Sequence, residues 1–398
     1  MASGKNTHLE HIEDEIINNG TEGGKQAIKI LKEMLTYLSG KPGPGAAVTT
    51  KYDGAPAIIC GIDPSDNKFF VGTKSVFAKT APKLVKSVSD ARTMYDGVLA
   101  EKLASSFVYL KNAGIKGVLQ GDLMFTNDKK REKIDGKIYT TFRPNTITYA
   151  VDPNTKLGKE IGKAFLGIVF HTKYTGTTLQ TMTASFKVDD KDFKSGGQVW
   201  AQKAEFKDIG NVASMNNSEK AKYEAAIRRA EGSLKQTRGV LDKIQSGKKT
   251  LQIDTEFKKF FNNYVKSGKE VPSVEMAYRE FLWHMGREYD KVISKNKTVK
   301  AQAEKAFRFL EMLDFSEVNK KEMKMLIATY MNIQYCKSIL VNKMKKVQSL
   351  RLFVDMGNGD YKTTVDEGYV AISNDKAVKL IDRLEFSKLN FTVPKNWD

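Results

Sequence analysis

The chain has few of the features that mark membrane, secreted or zinc-binding proteins. It contains no run of about 18 apolar residues to cross a bilayer, and its first residues, MASGKNTHLEHIEDE, contain no apolar signal core. Two cysteines among 398 residues provide neither a disulfide framework nor the spacing of a zinc site. We therefore expect a cytoplasmic protein with no membrane anchor that acts as a monomer.

Negative charge is also scarce. The chain has 47 Asp and Glu against 65 Lys and Arg, which gives a formal net charge of +18. Such an excess attracts polyanions and favours nucleic acid or nucleotide as the partner, although simple solubility is the plainer explanation. The run G-x-x-x-x-G-K-[ST] is absent, which disfavours a P-loop NTPase.

What the sequence does contain is enough apolar material for a packed core, at 40% hydrophobic and 10% aromatic residues. Helical spacing after a Thr7 to Glu10 capping box predicts one or two helices over 7–38, and helix is predicted again over 81–114. Alternating or continuous apolar runs predict strands over 46–77, 117–125, 146–152, 164–174, 362–372 and 376–382. The fold class is therefore α+β with mostly antiparallel strands.

Between about 215 and 350 the sequence is rich in Lys, Glu, Ala and Met, with a period of 3.6 residues. This pattern predicts an all-helical insertion. Two domains follow: one made of residues 1–214 and 351–398, and a basic helical domain made of residues 215–350.

One short stretch combines opposite charges with an apolar run. In TTKYDGAPAIICG, residues 49–61, Lys51 and Asp53 are two residues apart, so a strand would present both on one face, while Gly54 allows close approach of a ligand or of backbone. The turn DPSDNK (63–68) predicts a hairpin that carries Lys51 on its first strand. Other charged residues interrupt apolar strands in the same way, as is typical of a cleft: Lys74, Asp122, Glu367, Lys376 and Lys379.

These stretches resemble, in order, the motifs of the covalent nucleotidyltransferases, the superfamily of ATP-dependent DNA ligases, RNA ligases and mRNA capping enzymes. KYDG (51–54) is similar to the nucleotidyl-acceptor motif K-x-D-G of that superfamily. The later motifs resemble GTKSVF (72–77), LQGDLMF (119–125), LGIVFHT (166–172), DEGYVAI (366–372) and KAVKLID (376–382). The resemblance implies a nucleotidyltransferase fold with ATP-grasp-like antiparallel sheets.

The resemblance also implies a reaction. Lys51 would attack the α-phosphate of ATP and carry AMP as a phosphoramidate. Lys379 would contact the α-phosphate, with Lys376 as the second candidate. Since residues 376 and 379 of a regular strand face opposite sides, we favour Lys379. Cationic neighbours would make Lys51 easier to deprotonate.

Further roles follow from the same resemblance. Asp122 and Glu367 would hold Mg²⁺ or the ribose, Phe170 would stack on adenine, and Gly54 would lie against the nucleotide. Lys74 would contact the ribose or an incoming 5′-phosphate. Asp53 would orient the reacting groups during strand transfer. Arg143, in TTFRPNTITY (140–149), is a further candidate for contact with nucleic-acid phosphate.

The sequence departs from the superfamily pattern at several positions. Asp122 stands where glutamate is usual, Lys74 where arginine is common, and His171 where ligases often carry aspartate. Thr49 and Thr50 precede Lys51 where many relatives have a glutamate that reads adenine, which leaves ATP against GTP open. Fewer than twenty residues follow Lys379, too few for an oligonucleotide-binding domain, and the basic helical insertion is the expected substitute.

We therefore expect an ATP-dependent ligase of RNA or DNA ends that uses Mg²⁺. Two alternatives stay open: a capping-like nucleotidyltransferase that modifies RNA or protein with the same lysine, and a non-catalytic nucleic-acid-binding protein on a ligase fold.

Overall fold

The computed structural model describes residues 9–384 except for 42, 44, 209–211, 295–298, 348–349, 358–359, 365–366 and 375. The helices are α1 (Glu15–Leu38), α2 (Val88–Met94), α3 (Gly97–Leu110), α4 (Lys156–Lys163), α5 (Asn217–Lys235), α6 (Arg238–Ser246), α7 (Ile253–Ser267), α8 (Val274–Ile293), α9 (Val299–Val318) and α10 (Lys320–Met344). None of the helices in this part of the chain combines the length and the apolar composition needed to cross a bilayer.

The strands are β1 (Ala46–Lys51), β2 (Ala57–Ile62), β3 (Phe69–Gly72), β4 (Val118–Phe125), β5 (Lys130–Ile134), β6 (Lys137–Phe142), β7 (Ile147–Val151), β8 (Leu166–Thr175), β9 (Thr183–Ser185), β10 (Val199–Lys203), β11 (Arg351–Gly357), β12 (Asp360–Thr363), β13 (Gly368–Ser373) and β14 (Lys376–Leu380). The mixed α+β class predicted from the sequence is confirmed.

The strands form three sheets. A large sheet has the order β10-β8-β4-β2-β3 with β9 paired to β8, a second has the order β12-β11-β7-β6-β5, and a small one has the order β1-β13-β14. Pairing is antiparallel except between β8 and β10. The antiparallel expectation therefore holds for most of the strands described.

The large sheet is half of a two-layer packing. Its central strands are buried on both faces, in agreement with their nearly continuous apolar runs. One face, which includes Ile58, Leu119 and Ile168, packs on α2 and α3. The opposite face carries the polar residues of the candidate site.

A hairpin forms within residues 46–77, as predicted, but one of its two strands is not the predicted one. The turn at 63–68 does join two antiparallel strands, but these are β2 and β3. The strand that carries Lys51, β1, pairs instead with β13, more than 300 residues along the chain. Chain segment 204–206, just after β10, bonds to the other edge of β1: Phe206 N–H donates to the Val48 carbonyl at 2.9 Å, which ties the small sheet to the large one.

Local signals explain several helix ends. Asn216 and Glu219 form a capping box at the start of α5, and Ser273 accepts a hydrogen bond from the Met276 N–H at the start of α8. Gly268, with a φ of 66°, ends α7 in the left-handed conformation that glycine adopts readily. Thr7, the predicted partner of Glu10 in a capping box, lies outside the described residues.

The helical segment shares its core with both ends of the described chain. Helices α5 to α10 pack together with α1 and with one face of the small sheet, in a single apolar cluster that includes Ile16, Leu31, Tyr330, Tyr369 and Leu380. The predicted insertion at 215–350 is thus helical, but it has no separate core. Helix α1, assigned from sequence to the other domain, fills part of it.

Candidate active site

The small sheet brings the first motif beside the last two. Lys51 pairs with Gly368, Thr49 with Val370, and Val370 with Lys379. One face of this sheet is sealed in the helical core by Val48, Tyr369, Ala371, Val378 and Leu380. Since side chains alternate, Lys51 and Lys379 share the other face.

Lys51 is held by a carboxylate at the start of β13. Its Nζ donates a short hydrogen bond to Glu367 Oε2, and the two side chains are only 28% and 14% exposed. Burial alone would lower the pKa of Lys51, but Glu367, with Asp122 and Asp53 nearby, reverses this and raises the pKa above its usual range. The carboxylates around Lys51 therefore outweigh the effect expected of the neighbouring lysines.

The same neighbourhood acts on Glu367. Burial raises the pKa of Glu367, Lys51 opposes that shift, and Asp53 and Asp122 add to it, so that the pKa is raised overall. A carboxylate in this position has a strong tendency to take up a positive partner. In the arrangement observed, that partner is the ammonium group of Lys51.

Asp122 faces this pair from the large sheet. It lies on β4 opposite Val169 of β8, and a Cβ atom on Gly54 would be 2.5 Å from the Asp122 Cβ. The loop after Lys51 therefore packs directly against β4. The close approach predicted for Gly54 is explained by this neighbouring strand, and any side chain at position 54 would displace it.

A bulge in β8 adds His171 to this face. Gln120 pairs with Thr172 and Gly121 pairs with Phe170, which leaves His171 as the extra residue. Its Nε2 lies 3.7 Å from Asp122 Oδ1, and its Nδ1 lies 2.8 Å from Thr172 Oγ1. The sequence gives no signal of the bulge.

Lys379 completes the group, whereas Lys376 does not. Burial and the charge of Lys51, on the same sheet face, both lower the pKa of Lys379. The Lys379 N–H donates to the Glu10 carbonyl at 2.8 Å. Lys376 is exposed at the far end of β14.

Asp53 occupies a structural position. It lies beyond the end of β1 and is 5% exposed. Its carboxylate accepts hydrogen bonds from the Thr146 N–H at 2.7 Å, the Ile147 N–H at 2.8 Å and the Asn145 side-chain amide at 2.8 Å. The carboxylate thus anchors the start of β7. Because β1 ends at Lys51, Asp53 does not lie on the same strand as Lys51, where the sequence predicted it.

Three other predicted site residues lie elsewhere. Phe170 is fully buried on the face covered by α3, with its ring 5.1 Å from that of Phe193, so the expected stacking on adenine is wrong. Lys74 is exposed in a 3-10 turn (Lys74–Phe77) beyond the edge strand β3, and not on a strand. Arg143 is half-buried, with Nη1 3.1 Å from Asp355 Oδ2.

The two carboxylates suit a hard cation with few protein ligands. Among the described residues no cluster of three or more His, Cys, Asp or Glu side chains could hold a metal alone. Mg²⁺ keeps several waters and is commonly bound by one or two carboxylates together with substrate phosphates. Asp122 and Glu367, partly exposed and close enough to shift the pKa of one lysine, fit that mode.

Fold and site together define an α+β protein with a lysine–carboxylate centre between a large, mostly antiparallel sheet and a small antiparallel one. Residues 6–395 match the model of DUF6267, a family of unknown function, and the chain belongs to that family. No curated protein and no solved structure matches the chain.

Proposed function

We propose that this protein is an ATP-dependent polynucleotide ligase, which joins a 3′-hydroxyl end to a 5′-phosphate end of RNA or DNA through AMP bound to Lys51. One observation carries the proposal. Lys51 and Lys379 come from distant motifs and share one sheet face, Glu367 just before β13 binds Lys51, and Asp122 lies nearby on the large sheet. By resemblance, these residues and Lys376 are the ones that would contact the α-phosphate or hold the metal.

The reaction has three steps. The Lys51 amine, after loss of one proton, attacks the α-phosphorus of ATP, a P–N bond forms, and the bond to the bridging oxygen breaks to release pyrophosphate. A 5′-phosphate oxygen then displaces Lys51 and takes AMP. Finally the 3′-hydroxyl attacks the activated 5′-phosphate, and AMP leaves as the new phosphodiester forms.

The residues of this chain provide position and charge. Lys379, already on the face of Lys51, would pair with the α-phosphate and stabilise the charge that develops there. Mg²⁺, bound at Asp122 and Glu367 with the ATP phosphates, would supply further positive charge. His171, beside Asp122, would help to fix that carboxylate.

The first step needs Lys51 to part from Glu367. A lysine with an ordinary pKa is only about one part in a thousand neutral near neutral pH, which corresponds to roughly 4 kcal/mol, and the ion pair adds to this cost. Any cation that occupies Glu367 removes the charge that favours the ammonium form. A metal held by Glu367 would therefore also free the Lys51 amine for reaction.

The test is labelling with ATP that carries the isotope in its α-phosphate. Wild type, with Mg²⁺, should retain label through denaturing electrophoresis, and Lys51→Ala should retain none. Lys137→Ala, at an exposed lysine on β6, is the matched control and should label normally. Label that survives in Lys51→Ala, or no label on any protein, would reject the proposal.

The acceptor separates a ligase from its rivals. A ligase should convert a 5′-phosphorylated oligonucleotide with a free 3′-hydroxyl to a longer or circular product. A capping-like enzyme should instead transfer its nucleotide to a 5′-diphosphate end of RNA. Adenylation of Lys51 with transfer only to that diphosphate end would replace the ligase by the capping-like alternative.

A further inference from the structure

Helix α1 breaks at Gly20, and a groove opens at the break. Gly20 has a φ of 61° and a ψ of −144°, far from helical values. The carbonyl of Ile17, freed by the break, accepts a hydrogen bond from Gln245 Nε2 at 2.8 Å, and that of Asn18 accepts one from Lys248 Nζ. Helix α6 therefore fixes the break from the side.

The groove runs between α1, α5 and α6 and has a volume of about 720 Å³. Ile28 and Leu234 lie at its apolar floor, where a Cβ on Gly24 would be 2.8 Å from Leu234 Cδ1. Five cations line it: Lys25, Lys29, Lys32, Lys235 and Arg238. Three acids accompany them, so that positive charge is in excess.

Two of the acids are already paired. Lys25 lies 2.6 Å from Glu22, and Lys32 lies 2.6 Å from Glu231. The third, Asp242, is exposed. Within the described residues no ion pair holds Lys235 or Arg238, which are both exposed at the end of α5 and the start of α6. These two side chains are available to an external anion.

The groove adjoins the small sheet that carries Lys379. Helix α1, which forms one wall of the groove, packs on β13 and shares an apolar cluster with Tyr369, Val378 and Leu380 on the helical face of that sheet. Lys51 and Lys379 lie on the opposite face. The basic groove and the site thus lie on the two sides of one small sheet.

We propose that this groove binds the phosphodiester backbone of the polynucleotide substrate, with Lys235 and Arg238 on the phosphates and the apolar floor against a ribose or base. This inference rests on the proposed ligase function and assigns it a substrate surface. Cations spaced along a groove follow a phosphate backbone, and an apolar floor suits the less polar parts of a nucleotide.

The experiment measures binding of a short 5′-phosphorylated single-stranded RNA with a 3′ fluorophore, by anisotropy over a series of KCl concentrations. The double variant Lys235→Ala/Arg238→Ala should bind about ten-fold more weakly at low salt. The slope of log affinity against log salt should become shallower by about 1.4, because two phosphate contacts are lost. Arg238→Glu alone should weaken binding at least as strongly.

The matched control is Lys159→Ala/Lys163→Ala, which removes two exposed lysines from α4, away from the groove. Equal binding by the two double variants would overturn the groove proposal. Labelling of Lys51 by ATP, measured on the same proteins, separates this failure from failure of the ligase proposal. The groove variants should label normally, and the absence of label on every protein would reject the ligase alone.

Discussion

At the scale of single residues, the Lys51–Glu367 pair sets the reactivity of the site. A strand-borne lysine flanked by apolar residues is visible in the sequence, but its partner is not, since Glu367 lies 316 residues further on. The carboxylate favours the ammonium form of Lys51, in which the nitrogen has no lone pair to react with an electrophile. Because of this contact, the reactivity of the Lys51 amine depends on which group neutralises the charge of Glu367.

Replacement of Glu367 by glutamine should make the Lys51 amine more reactive at a given pH. The pKa of Lys51 is raised by the pair, so in wild type its modification by trinitrobenzenesulfonate, followed by mass spectrometry of the peptide, should have a midpoint above that of exposed lysines. In Glu367→Gln the midpoint should move to lower pH. Unchanged midpoints would show that the pair does not control the amine.

The raised pKa of Lys51 also predicts how the stability of the folded protein changes with pH. A raised pKa in the folded protein means that the pair stabilises fully below the unfolded pKa of about 10.5, and that this contribution is lost as the pH rises through the folded value. The difference in melting temperature between wild type and Glu367→Gln should therefore shrink at strongly alkaline pH.

Asp53 should matter for stability more than for chemistry. In Asp53→Asn one acceptor oxygen becomes an amide group that faces the N–H donors at the start of β7, which should reduce the free energy of unfolding by about 2 to 3 kcal/mol. Urea denaturation measures this. Asp314→Asn, at an exposed position on α9, should change it by less than about 0.5 kcal/mol. A loss of ligation with full stability would return Asp53 to a catalytic role.

At the scale of helices and strands, local periodicity predicts the segments but not their partners. The apolar runs of β4, β8 and β13 are visible in the sequence, and so are the charged residues that interrupt or flank them. The pairing of β1 with β13 depends on long-range register, and the bulge at His171 depends on how β4 and β8 fit. Phe170 was therefore predicted on the wrong face, since nothing local shows which side α3 covers.

A buried charge network links the helices to the small sheet. Lys337 of α10, 3% exposed, donates to Glu13, which is fully buried just before α1. Arg383, after β14, lies 3.7 Å from both Glu13 and Asp14. Burial would raise the pKa of Glu13, but Lys337, His11 and Arg383 lower it to about 2. The network therefore depends on a charged Glu13.

Removal of one partner should cost more than removal of both. Lys337→Met leaves the Glu13 carboxylate short of positive charge and should lower the free energy of unfolding by about 3 to 5 kcal/mol at neutral pH, whereas Glu13→Gln/Lys337→Met should cost less. Urea denaturation of the full cycle measures the coupling. Strictly additive effects would mean that the pair is not coupled.

The loss of stability at acid pH provides a second test of this network. Because the pKa of Glu13 is lowered, its contribution is present above the unfolded value of 4.5 and is lost as the pH falls towards about 2. Variants that lack this carboxylate should lose less stability over that range than wild type.

At the scale of the whole molecule, sequence reasoning places the helical segment correctly but gives it too much independence. Composition changes at about 215 and 350, and the helices α5 to α10 lie between those positions. What composition cannot show is which other elements cover their apolar faces. Helix α1 and one face of the small sheet do so. Their sequences show only that each is half-buried, and not which element covers it.

A fragment of residues 215–350 should therefore not fold by itself. Without α1, β13 and β14 it lacks the apolar contacts of Ile16, Leu31 and Leu380, and it should show helix by circular dichroism but no cooperative urea transition. Full-length protein, measured in parallel, should show a sharp one. A cooperative transition in the fragment would restore the two-domain description.

Because the helical core includes segments far apart in the chain, its parts can pack together only late in synthesis. Helix α1 leaves the ribosome some 340 residues ahead of β14, so the nascent chain must carry an amphipathic helix with an uncovered face until the later elements have been made. The large sheet, with α2 and α3 over it, draws only on residues up to about 203, and it can form first. The contact between Lys51 and Glu367 would form only after that, once β13 has been made.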